Sequence, residues 1–159
     1  MARPKRPRQY GRVRETPQAR YAPTPGASAL NGVLLDSDVI IELLRDNRKI
    51  VGPAAGLAAA GIRTYCTPVS WAEIYQGLRA GEEPLTDSFF ESSGEVILDA
   101  RIGRQAGKYL ARYARSHGLE VPDALIAAAA ATTGLRLWTL NRRHYPMEDV
   151  RFFEPDSAR

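Results

Sequence analysis

The feature that most limits what this chain can fold into is an alternation of short apolar runs with longer stretches of helical spacing. The runs are Val33–Leu35, Ile62–Thr67, Val96–Leu98, Leu135–Leu140 and Val150–Phe153. Apolar runs this short, closed by turn and capping residues, read as buried strands. Between them lie helical stretches over Val39–Leu44, Pro53–Ala60, Glu82–Ser92, Asp99–His117 and Pro122–Thr133, with a further helix opening at Ser70–Glu73. Three of these stretches stop at Gly61, Gly118 and Gly134, and glycine adopts the left-handed conformation that ends a helix at no steric cost. Strands separated by helices pair in parallel, and a parallel sheet is covered by helices on both faces. The expected fold is α/β, a three-layer α/β/α sandwich around a central, mostly parallel sheet.

A chain of 159 residues holds one compact domain and is too short for two ordinary ones. The longest apolar run, Ala124–Ala131, falls well below the roughly 20 residues that span a bilayer, so no membrane segment is expected. Cys66 is the single cysteine, which excludes an internal disulfide and suits a reducing cytoplasm. With two histidines and one cysteine, a structural zinc site of the usual kind is excluded. Any bound metal needs oxygen ligands, which points to magnesium or manganese.

The charge is concentrated at one end. Residues 1–30 carry seven of the 22 basic groups and one of the 18 acidic ones, a net of +6 that leaves −2 for the rest. This stretch also holds Pro4, Pro7, Pro17, Pro23 and Pro25 and almost no aliphatic side chains. It buries too little apolar surface to offset its ordering entropy, and is expected to be a disordered arm over residues 1–31. Two accounts of it compete: a tail adding phosphate contacts to a nucleic acid, or upstream sequence translated from a start placed too early. The abrupt onset of the folded pattern at Val33 favours the second. The folded domain is expected over residues 32–156.

In open parallel sheets the ligand site lies beyond the C-terminal ends of the strands. Three acids are placed to gather there: Asp36 directly after the first strand, Glu73 in the turn after Thr67-Pro68, and Asp123 at the start of the helix before Leu135. Clustered carboxylates repel one another, a divalent cation relieves the repulsion, and phosphodiesterases use such clusters to hydrolyse phosphate esters. Each acid also has a purely structural account. Asp36 or Asp38 caps a helix, Ser70 and Glu73 match a capping box, and Asp123 after Pro122 complements a helix dipole. Spacing alone leaves both accounts open.

The residues around these acids resemble PIN-domain nucleases, in particular VapC-type toxins of bacterial toxin–antitoxin pairs. The likeness lies in Val33-Leu34-Leu35-Asp36-Ser37-Asp38-Val39-Ile40-Ile41, in Thr67-Pro68-Val69-Ser70-Trp71-Ala72-Glu73-Ile74, in Val121-Pro122-Asp123-Ala124-Leu125-Ile126-Ala127, and in the closing block Leu137-Trp138-Thr139-Leu140-Asn141-Arg142-Arg143-His144-Tyr145-Pro146. It spans roughly residues 32–156 and implies a PIN-like sandwich. It further implies a Mg²⁺- or Mn²⁺-dependent endoribonuclease in which Asp36, Glu73 and Asp123 hold the metal and metal-activated water hydrolyses RNA. Thr139 and Asn141 would orient the ligands and the attacking water. A cognate antitoxin inserted into the acidic groove and a homodimer are implied as well. The departure is His144, which stands where the family has a fourth acid; one tightly held metal is the safer expectation, with Asp38 compensating in part. Glu42 is expected to face solvent or pair with Arg45.

Arg142 and Arg143, beside the closing motif, are the best candidates for phosphate contact, with His144 either a loop residue or part of the site. Arg101, Arg104, Lys108, Arg112 and Arg115 form one helical stripe, opposite Ile102, Ala106, Tyr109, Leu110 and Tyr113. The stripe is read as a solvated face, with RNA contact as the second reading. Trp71 and Trp138 are expected to be buried. Asp36-Ser37-Asp38 also matches the opening of aspartyl phosphatases, but the later lysine and acidic pair of that chemistry are missing. A non-enzymatic alternative is a PIN-like RNA-binding module weakened by His144.

Overall fold

Strand β1 (Gly32–Leu35) opens the fold and leads into helices α1 (Ser37–Leu44) and α2 (Arg48–Ala59). Strand β2 (Arg63–Cys66) follows, then α3 (Pro68–Gln76), α4 (Glu83–Ser92) and the short β3 (Gly94–Glu95). Helices α5 (Ala100–His117) and α6 (Val121–Thr133) precede β4 (Arg136–Trp138) and a single 3₁₀ turn, Arg142–His144. This computed structural model describes residues 30–155, so nearly all of the arm expected over 1–31 lies outside the described residues.

The strands lie in the order β3-β2-β1-β4, and every pairing is parallel. Side chains alternate across β1. Val33 and Leu35 join Cys66 and Trp138 against Val39, Ile40, Ile50, Leu57, Ile74 and Phe90 of α1–α4. Leu34 and Leu137 point the other way, onto Ile102, Ala106 and Tyr109 of α5 and the alanines of α6. The expected three-layer sandwich is therefore present. In α6, Ala124 and Ala127–Ala130 are fully buried, and their small side chains let the helix lie close to both α5 and the sheet.

Tyr65 lies across the sheet over two glycines. A Cβ on Gly32 would stand 2.4 Å from the Arg63 carbonyl oxygen and 2.7 Å from the Tyr65 ring, and one on Gly94 would stand 2.5 Å from that ring. Only glycine fits at either place.

Three expected elements need correction. The run Val96–Leu98 is not a buried strand: pairing stops at Gly94–Glu95, Val96 adds one bond to the Cys66 carbonyl, and Ile97 is 72% exposed. Its partner β2 ends there because Thr67 turns the chain into α3. Val150–Phe153 forms an isolated bridge rather than a strand, bonded to β4 only around Leu137. Helix α2 starts at Arg48, five residues before the expected Pro53, because Asn47 caps it by accepting from the Lys49 N–H. Pro53, where the expected stretch begins, lies within the helix.

Candidate active site

Strands β1 and β4 are neighbours although β2 follows β1 in the chain, so the connections leaving their ends diverge. The crevice between such diverging connections is where open parallel sheets bind ligands. Asp36 is the first residue beyond β1, and its backbone N–H donates to the Trp138 carbonyl at 2.9 Å, tying the two strand ends together. Its side chain is buried. Oδ1 caps α1 by accepting from the Ser37 N–H at 2.8 Å, and Oδ2 accepts from the Tyr145 hydroxyl at 2.7 Å. Capping and membership of the acidic cluster are thus both true of this residue.

Glu73 reaches the same place from α3. The capping box expected at Ser70–Glu73 does not form. Thr67 is the N-cap, its Oγ1 accepting from the Ser70 N–H at 3.3 Å, because Pro68 starts the helix before Ser70. Glu73 is left free to accept from the Ser37 hydroxyl at 2.5 Å. Asp123 lies in the first turn of α6 as expected, with Oδ2 3.5 Å from Nδ1 of His144. Burial raises the pKa of Asp123, and the charges of Asp36 and Glu73 raise it further while His144 lowers it. The three acids expected from the sequence are therefore near enough for the charges of Asp36 and Glu73 to act on Asp123.

Asp38 joins them. Its Oδ2 accepts from the Leu140 N–H at 3.0 Å and from the Thr139 hydroxyl at 3.4 Å. Burial, and then the charge of Asp36, push its carboxyl up to about 6. Thr139 is itself buried and accepts from the Asn141 N–H at 3.0 Å. Asn141 directs Nδ2 at the His144 ring, 3.1 Å from Nε2, while its Oδ1 accepts from Arg143 Nε at 3.1 Å. Thr139 and Asn141 thus bond to Asp38 and His144, one residue removed from the three expected acids.

Arg142 is exposed, paired with Glu154 and laid over the Phe152 ring at 4.3 Å. Glu42 turns away from the crevice, accepting from Asn47 at 2.6 Å and Arg45 at 3.3 Å, in line with expectation. Trp138 is buried as expected; Trp71 is only half-buried, stacked on Phe90 at a centroid distance of 4.1 Å. The five cations of the α5 stripe are all exposed.

Sequence reasoning missed Ser37 and Tyr145, which hold Glu73 and Asp36. Both sit inside the quoted motifs, but a serine after an aspartate and a tyrosine after a basic run signal nothing by themselves. Among the described residues, no three His, Cys, Asp or Glu side chains converge closely enough to ligate a metal as they stand. The donor set is nevertheless all oxygen, mutually repulsive and desolvated, which suits a hard divalent cation. Asp38 also has a buried oxygen, Oδ1, without a hydrogen-bond partner.

Fold and site together define a small three-layer α/β protein with a carboxylate cluster at the switch point of its sheet. The PIN domain profile matches residues 33–150, and the chain belongs to that family. Ribonuclease VapC19 of Mycobacterium tuberculosis is 30% identical over 115 residues, covering 72% of this chain and 92% of the relative. Ribonuclease VapC10 of the same organism is 36% identical over 118 residues, covering 72% and 86%. The fold matches DNA-bound VapBC from Salmonella typhimurium with a TM-score of 0.66 at 18% identity, over 78% of this chain and 98% of that one. FitAcB from Neisseria gonorrhoeae matches with a TM-score of 0.58 at 24% identity, over 77% and 97%.

Proposed function

We propose that this protein is a metal-dependent endoribonuclease and the toxin of a toxin–antitoxin pair. The observation that carries the reading is the placement of Asp36, Glu73 and Asp123 at one edge of the sheet: Ser37, next to Asp36, bonds Glu73, and the charges of both acids act on Asp123. Two curated relatives of this PIN-domain chain bear the name ribonuclease, which supports RNA as the substrate. Asp36, Glu73 and Asp123 would hold a magnesium or manganese ion. Such an ion, when bound, acidifies water and neutralises charge on the phosphate under attack. Ser37 fixes the Glu73 carboxylate and Tyr145 fixes that of Asp36, so neither has to reorient when substrate arrives. Thr139 anchors Asp38, and Asn141 sets the His144 ring against Asp123. Arg143, exposed beside the crevice, would take an RNA phosphate, with His144 at its rim and Arg142 joining when released from Glu154.

An antitoxin partner is supported by structural neighbours that are themselves toxin–antitoxin complexes. A cavity of about 250 Å³ beside Glu73, lined by Ile41, Leu44 and Leu85 together with Arg45, Arg79 and Glu82, would take an amphipathic antitoxin segment. A homodimer, a cytoplasmic location and a boundary between an arm over 1–31 and a nuclease domain over 32–156 belong to the same reading. No helix among the described residues is long and apolar enough to cross a membrane.

Purified protein incubated with structured RNA and Mg²⁺ or Mn²⁺ tests the proposal. Cleavage that EDTA and Asp36→Asn each abolish is the expected result. Cleavage surviving both would remove the carboxylate mechanism, and no cleavage with either metal would favour an RNA-binding module weakened by His144.

A further inference from the structure

Asp38 stands apart from its neighbours in the crevice. Its Oδ2 is held from two sides, by the Leu140 N–H and the Thr139 hydroxyl, so the carboxylate is fixed between the start of α1 and the end of β4. Its Oδ1 is buried and, among the described residues, is the side-chain oxygen or nitrogen left without any partner. Asp36, two residues earlier, has both oxygens bonded. A buried carboxylate oxygen without a donor is costly, and native proteins seldom leave one. Among the described residues nothing supplies a partner for Oδ1, a place that a bound cation or a water would fill.

His144 does not supply a fourth acid, and its ring is engaged with Asp123 and Asn141. Resting on the ribonuclease reading above, we propose that Asp38 is the fourth carboxylate of the site, with Oδ1 a direct ligand of the divalent cation held by Asp36, Glu73 and Asp123. Thr139 then becomes a positioning residue for Asp38. The fourth acid comes from the first turn of α1 instead of the segment after β4. Ordered water at Oδ1 is the competing occupant.

Calorimetric titration of Mn²⁺ into the full chain and into Asp38→Asn, Asp38→Ala and Asp36→Asn separates these cases, with thermal melts in EDTA as the folding control. Asparagine keeps the side chain's shape and its acceptor for the Leu140 N–H while placing a donor where Oδ1 stood; alanine removes the group entirely and serves if the asparagine variant melts early. The expected result is Mn²⁺ affinity weakened about tenfold or more in both Asp38 variants, a loss at the scale of a disturbed coordination shell. Wild-type affinity in the Asp38 variants, with affinity lost in Asp36→Asn, would assign Oδ1 to water and overturn this proposal while the ribonuclease reading stands. Absence of Mn²⁺ binding by the wild-type chain would overturn both.

Discussion

The two oxygens of Asp36 divide their bonds between the helix they open and a hydroxyl 109 residues away in the chain. Tyr145 is buried, and burial first, then the charge of Asp36, drive its pKa upward, so the phenol stays a neutral donor. Tyr145→Phe removes that donor and leaves a buried carboxylate oxygen unsatisfied, at a cost of about 1–3 kcal/mol. Urea unfolding in EDTA should show a loss of that size, and the variant should cleave RNA more slowly through a lower kcat. Unchanged stability would mean that the hydroxyl is not needed to hold Asp36. At this scale the sequence was partly informative. Asp36 and Asp123 stood out because each falls where a strand ends or a helix begins; Glu73, expected in the first turn of its helix, lies in the second turn of α3 because that helix starts earlier, at Pro68. Ser37 and Tyr145 did not stand out, because a hydroxyl's value depends on which distant carboxylate folding brings to it.

At the level of elements, periodicity located the helices well where glycine stops were present, as at Gly118 and Gly134, both with positive φ. It failed where one signal had two meanings. Pro53 reads as a helix start and lies inside α2; Ser70 reads as a cap and is a residue of α3, capped by Thr67. Val96–Leu98 has the composition of a strand, yet its neighbour β2 ends at Cys66 and leaves Ile97 nothing to pair or pack with. The close approach of Tyr65 to β1 and β3 was also invisible, since a strand glycine does not say which ring it admits. Gly32→Ala should be the more damaging of the two glycine substitutions there, because its Cβ meets a backbone carbonyl as well as the ring. Overpacking of this kind costs about 1–3 kcal/mol, readable as a lower midpoint in chemical unfolding with an unchanged slope.

Across the whole molecule the fold carries a net charge of −2 outside the first 30 residues, with several of its acids concentrated at one crevice. The sheet places them there, and their repulsion couples stability to pH. Burial, and then the charge of Asp36, push the Asp38 carboxyl up to about 6, above the ordinary aspartate range, so the folded chain binds a proton that the unfolded chain releases over that interval. Its contribution to metal-free stability is therefore greatest at low pH and is lost as pH rises from about 4 to 6. A cation competes with that proton. The rise in Tm produced by Mg²⁺ should be largest at pH 7.5 and shrink as pH falls through about 6. A magnesium effect constant across that window would separate metal binding from the protonation of Asp38.

On the proposed reading, this crevice directs water onto an RNA phosphodiester. The chemical ends of the cleavage products test it most directly. Attack by water with departure of the 3′ oxygen leaves a 5′-phosphate and a 3′-hydroxyl, and these are the ends expected when the Mg²⁺- or Mn²⁺-dependent products are mapped. Products ending in a 2′,3′-cyclic phosphate and a 5′-hydroxyl would mean that the RNA's own 2′-hydroxyl is the nucleophile, and would contradict it.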